Sequence, residues 1–171
     1  SKRSLGLWPT VIIVDEAHLW FGSKELLKTF GPAVEDLVRR GPAVGIILWM
    51  STQRPDGKSI PTGITSSVGR RICLRVTTYQ ANDMILGDGK WAEGYRASQF
   101  SNNDKGVAYV VSEDSPDPVI TRLAYIDAPA ADPIVARARA AREATGWLSG
   151  LAAGEEPPAP EEVPSILDHI R

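Results

Sequence analysis

Four successive β-branched residues, Val11-Ile12-Ile13-Val14, run directly into two adjacent carboxylates, Asp15 and Glu16. A stretch that is apolar at every position reads as a strand buried on both faces, the kind found in the middle of a parallel sheet. Parallel strands need crossover connections, usually helices, so this stretch points to an α/β fold. In open α/β sheets ligands bind in the crevice beyond the carboxyl ends of the strands. Asp15 and Glu16 are therefore expected to face a site. The plainer reading is a helix start whose first acids complement the helix dipole.

A second run of the same kind, Gly45-Ile46-Ile47-Leu48-Trp49-Met50, ends in Ser51-Thr52-Gln53-Arg54-Pro55. Polar residues again stand where a buried strand meets its carboxyl end. An apolar strand closed by Asp-Glu is the Walker B pattern of P-loop nucleotide hydrolases. There the Asp holds Mg²⁺, usually through water, and the Glu polarises the attacking water. Gln53 offers a donor and an acceptor, so it could bond a γ-phosphate and that water together. Between the two strands the spacing predicts two helices, Lys24 to Phe30 and Pro32 to Arg40, broken at Gly31-Pro32 and stopped at Gly41-Pro42.

Gly57-Lys58-Ser59 imitates the end of a phosphate-binding loop, but the first glycine of that pattern would fall on Thr52. No true phosphate-binding loop occurs in the chain. Downstream, the pattern predicts a short helix near Pro61 to Ser67 and a third strand, Arg71 to Val76. A helix from Thr78 to Leu86 follows, then a hairpin of Gly106–Val111 and Val119–Ile126 joined by the Pro-rich turn Ser112 to Pro118. Asp132 is expected to cap a last helix with Pro133 at its first position. Residues 1–150 read as one domain, 151–164 as an acidic, Pro-rich linker, and 165–171 as the start of a further module.

Composition excludes some classes. No apolar run approaches the roughly 20 residues needed to span a bilayer, and the single cysteine, Cys73, excludes an internal disulfide and fits a reducing compartment such as the cytoplasm. A net charge of −2 gives no overall basic surface for nucleic acid, although a local patch remains compatible with it. A chain that opens on Ser and shows no signal peptide reads as a piece of something longer.

Several of these stretches follow one another as in one family. Val11 to Glu16, Val34-Glu35-Asp36-Leu37, Gly45-Ile46, Thr52-Gln53-Arg54-Pro55, Thr62-Gly63 and Arg71-Ile72 resemble the FtsK/SpoIIIE-type DNA translocases over roughly residues 10–145. The Thr-Gln-Arg-Pro element is the specific part. The resemblance implies a three-layer RecA-like P-loop core, a mainly parallel sheet with helices on both faces, with a terminal hairpin and helix. It implies a homohexameric ring that uses ATP and Mg²⁺ to pump double-stranded DNA. By that match Asp15 is the Mg²⁺-side acid, Glu16 the catalytic base and Gln53 the phosphate sensor. Arg54, beside the sensor, would orient its own subunit's site. Arg71 matches a family arginine, either at a subunit interface or in a sheet-edge salt bridge; parallel strands would put it at the end of the sheet away from the crevice. The Walker A half is expected before Ser1, so the chain alone is expected not to hydrolyse ATP. A winged-helix module often follows such motors, and membrane attachment would come only through regions outside this chain.

The chain departs from the family at Ala81-Asn82-Asp83, where Asp-Ser-Arg is common, and at Pro42, where a basic residue is common. This leaves open the contacts those arginines make. Asp15-Glu16-Ala17-His18 also spells the DEAH-box helicase signature, but the Ser-Ala-Thr and Gln-x-x-Gly-Arg-x-x-Arg elements of those enzymes are absent. A conjugation or type VII secretion ATPase, moving single-stranded DNA or protein, is the nearer alternative. A non-catalytic ring scaffold is the third, and intact Asp15, Glu16 and Gln53 argue against it. Chromosome segregation and plasmid transfer would share every feature named above.

Overall fold

The computed structural model describes residues 9–56 and 60–155. The lead before Pro9, the Gly57-Lys58-Ser59 imitation, most of the linker and the expected terminal module lie outside those residues. The chain divides into two units, Ser1–Leu123 and Ala124–Arg171.

The first unit opens with β1 (Thr10–Val14), α1 (His18–Phe21), α2 (Lys24–Val44) and β2 (Ile46–Met50). β1 and β2 pair in parallel, with Val11 opposite Ile47 and Ile13 opposite Trp49. The 21-residue α2 is the crossover between them. Two expected helices are therefore one. Pro32 and Pro42 both sit on its exposed side, where the carbonyls they leave unpaired can turn to water. The opposite side carries Phe30, Val34 and Val38 into a core shared with Phe21 and Ile64. An uninterrupted apolar stripe offsets the missing bonds, which alone would kink or break a helix. Trp20 stacks on Phe30 with ring centroids 5.2 Å apart. Gly41 is needed at the far end, because a Cβ there would lie 3.1 Å from the Ile46 carbonyl oxygen. Gly45 then closes the helix at φ 84°, in the left-handed region that favours glycine.

The parallel strands are not buried on both faces. Val14, Ile12, Leu48 and Met50 face the core, while Val11, Ile13, Ile47 and Trp49 are 52–71% exposed. Among the described residues a helix layer covers only one side of this pair. Sequence alone could not separate a strand covered twice from one whose second cover is absent.

The described strands form two sheets rather than one mainly parallel sheet, and the second is antiparallel. After α3 (Thr62–Thr65), β3 (Arg71–Cys73) pairs antiparallel with β4 (Val107–Ser112), which pairs antiparallel with β5 (Ser115–Arg122). β3 is three residues rather than six. Beyond Cys73 the chain leaves the ladder, and the Arg75 Nη1 donates to Asn102 Oδ1 at 2.7 Å. The hairpin turns at Glu113-Asp114, with Ser112 opposite Ser115 and a register shift beside them. Pro116 and Pro118 thus lie in a strand rather than a loop, tolerated because β5 is the edge of its sheet.

α4 (Tyr79–Leu86) begins where expected, with Thr78 Oγ1 accepting from the Ala81 N–H at 3.3 Å. It packs on β3 and β4 over a second core of Cys73, Leu86, Phe100, Tyr109 and Val111. Asn82 is completely buried there. Its amide donates to the Tyr95 carbonyl at 2.9 Å and accepts from the Ala97 N–H at 3.0 Å, pinning the loop after α4.

The second unit contains α5 (Ala128–Ala144) and a 3-10 turn, Gly150–Ala153. Asp127, not Asp132, caps α5, accepting from the Ala130 N–H at 2.9 Å. Pro129 takes the tolerated first-turn position and Pro133 falls inside the helix. No described helix is long and apolar enough to cross a membrane.

Candidate functional site

The β1–β2 ladder continues past the strands and zips their exits together. The Ser51 N–H donates to the Val14 carbonyl at 3.0 Å, and the Ala17 N–H donates to the Ser51 carbonyl at 2.8 Å. This places the acids after β1 against the polar run after β2, at the carboxyl edge where an α/β sheet binds ligands.

Asp15 Oδ1 accepts from the Ser51 hydroxyl at 2.5 Å and from the Glu16 N–H at 3.0 Å. These bonds, the hydroxyl first, hold the Asp15 carboxyl below its ordinary range, so it is ionised at neutral pH. Both bonds fall on Oδ1. Glu16 has φ 48°, the single positive value among the described non-glycine residues. Such a conformation costs of order 1 kcal/mol or more and persists where the surroundings impose it. They do so here: the Gln53 side-chain amide donates to Glu16 Oε1, and the Gln53 backbone N–H donates to Oε2 at 3.3 Å. His18 Nδ1 lies 3.2 Å from the same Oε2 and 3.2 Å from Thr52 Oγ1. Thr52 Oγ1 also accepts from the Arg54 N–H at 3.1 Å.

The two strand ends thus bring Asp15, Glu16 and Gln53 together, with Arg54 beside them. Gln53 and Arg54 also line an open cleft of about 380 Å³ with Arg75, Thr77 and Thr78. Arg71 is not part of this group. It stands in the antiparallel sheet, so its expected position at the far end of parallel strands does not apply. It lines a separate concavity of about 400 Å³ with Ser66, Ser67, Lys90 and Glu113. Its Nε is buried without a partner, and no ion pair to it is seen among the described residues. Sequence reasoning passed over Ser51 and His18. The signal for both was present, since each is polar and stands within four residues of a strand's carboxyl end.

An oxygen set of carboxylate and hydroxyl suits a hard cation such as Mg²⁺, which is commonly bound by one or two carboxylates together with water and substrate phosphates. No cluster of three or more acidic, His or Cys side chains that could hold a metal unaided occurs among the described residues.

Solved structures share this architecture, two of them as follows. One is the pCW3 conjugation coupling protein TcpA, in its monomer form with ATPgS, 24% identical with a TM-score of 0.57 over 70% of this chain. The other is the cytoplasmic domain of the Thermomonospora curvata type VII secretion ATPase EccC, 22% identical with a TM-score of 0.53 over 71% of this chain. The chain spans 33% of the first and 13% of the second. No protein-family model and no curated protein matches it. At these identities the likeness is one of fold: a mixed α/β domain with a small parallel sheet.

Proposed function

We propose that the chain is the Walker B and sensor half of an ATP-hydrolysing ring motor of the FtsK/SpoIIIE type. The observation that carries this reading is the meeting of Glu16 and Gln53 across the ends of two adjacent parallel strands. Glu16 takes the proton from the attacking water. Gln53 turns its amide between that water and the γ-phosphate. Asp15, whose ionised form the Ser51 bond favours, would hold Mg²⁺, and Arg54 would orient the phosphate side of the same site. When bound, Mg²⁺ supplies the positive charge that neutralises the phosphates.

Two further features support this reading. The exposed face of Val11, Ile13, Ile47 and Trp49 suits another α/β layer, since parallel sheets are covered on both sides. The fold is shared with an ATPase and with a protein solved with a nucleotide analogue. The phosphate-binding loop of such motors would come from that other layer. The reading extends to a cytoplasmic homohexamer that moves double-stranded DNA. A second reading, a conjugation or type VII secretion ATPase moving single-stranded DNA or protein, is favoured by the names of those two structures.

Glu16→Gln in the longer protein that carries this chain should leave ATP binding nearly intact and lower turnover by about 10² or more. Asp15→Asn should instead weaken Mg²⁺-nucleotide binding. Wild-type turnover by Glu16→Gln would remove the assignment. Stimulation of turnover by duplex DNA supports the first cargo, and stimulation only by single strands or protein supports the second.

A further inference from the structure

The DEAH-like His18 is left without a task by this reading, yet it touches the site's central carboxylate. His18 begins α1, whose Trp20 and Phe21 are fixed in the first core, so its ring is carried on an anchored turn. Its side chain is 17% exposed. A single ring nitrogen, Nδ1, lies 3.2 Å from Glu16 Oε2 and 3.2 Å from Thr52 Oγ1. An ionised carboxylate only accepts hydrogen bonds, so a favourable contact requires the proton on Nδ1. The Arg54 N–H already donates to the Thr52 hydroxyl oxygen, which orients Thr52 from the other side.

We propose that His18 is the positioning residue for Glu16, its Nδ1–H tying Oε2 to the Thr52-Gln53-Arg54 turn so that Oε1 is the oxygen presented to water. This rests on the reading of Glu16 as the base. The division between the two oxygens follows from their partners. Oε2 is held by groups of fixed position, the Gln53 backbone N–H and the His18 ring. Among the described residues Oε1 is held only by the Gln53 side-chain amide, which can turn toward a phosphate. Without His18 the carboxylate keeps its chemistry and loses its aim. Misplacement of a reacting group by about 1 Å can cost up to 10² in rate.

Two measurements test this separately. In the 171-residue chain, ¹⁵N-resolved spectra of the two histidines, assigned with a His169→Asn variant, should show His18 as the Nδ1–H tautomer. Glu16→Gln and Thr52→Val should each shift that resonance. An Nε2–H tautomer, or a resonance indifferent to Glu16→Gln, overturns the proposal whatever the protein hydrolyses. In the longer protein, His18→Ala should lower kcat by about 10-fold with KM nearly unchanged. His18→Asn, whose amide N–H can take the place of Nδ1–H, should recover most of the loss, and His18→Gln, which places its N–H nearer Nε2, should not. An unchanged kcat in His18→Ala, or equal rescue by Gln and Asn, also overturns it. Absence of ATP hydrolysis in the wild-type longer protein would remove the motor reading and with it this role, while the spectra still report whether the contact exists.

Discussion

Asn82→Ala should be among the most damaging single changes in the first unit, although Asn82 has no contact with the Asp15–Gln53 group. Asn82 has no exposed surface, and Ala97, whose N–H it accepts, has none either. Truncation leaves the Ala97 N–H without its acceptor and the Tyr95 carbonyl without its side-chain donor. The buried Ala97 N–H so orphaned costs about 1–3 kcal/mol, and loss of the part-buried bond to the Tyr95 carbonyl adds to it. Urea denaturation should show a lower midpoint at an unchanged slope, followed both by far-UV circular dichroism and by the aromatic signal of the Tyr95–Tyr109–Phe100 cluster. Asn82→Asp provides a second reading of the same geometry. It keeps an acceptor for Ala97 but sets an oxygen against the Tyr95 carbonyl and beside Asp83. Burial and Asp83 would raise the new carboxyl's folded pKa, so stability present below its unfolded pKa is lost as pH rises through the folded one. That variant should therefore recover on acidification. A loss below about 1 kcal/mol for Asn82→Ala, or an Asn82→Asp variant indifferent to pH, would refute the view that these bonds hold the loop after α4.

Other expectations are more local. Ser51→Ala removes the largest influence on Asp15, whose carboxyl should move back toward its ordinary value of 3.8 in a ¹³C-detected titration. Because a depressed folded pKa contributes stability above the unfolded pKa and loses it as pH falls through the folded one, the variant should lose less stability than wild type on acidification. Burial pushes the Cys73 thiol up to about 12, so a thiol reagent at pH 8 should label the folded chain far more slowly than the chain in urea; equal rates would place Cys73 at the surface. If a protein carrying this chain forms rings and Arg71 serves a neighbouring subunit's phosphate, Arg71→Ala should lower turnover by about 10³ or more. Normal assembly and turnover would leave Arg71 with a structural role.

The amino-acid order by itself determined the local elements and the chemistry of the candidate site. Short-range rules suffice for a β-branched run, for the start of α4 at Thr78, and for polar groups at strand ends, because each depends on neighbours within a few residues. Asp15, Glu16 and Gln53 were readable for that reason. What lay beyond reach depended on surfaces far apart in the chain. Gly31-Pro32 breaks a helix in isolation, but the stripe of Phe30, Val34 and Val38 against the core carries α2 through it. Pro116 and Pro118 read as a loop until the outer-edge position of β5 admits them to a strand. Val11, Ile13, Ile47 and Trp49 look as buried as their neighbours, since an apolar side chain does not say which face will find a cover. His18 and Thr52, 34 residues apart, meet at Glu16 only because the parallel pairing of β1 and β2 brings their carboxyl ends together. Residue type set what each group can do, and strand pairing decided which groups do it together.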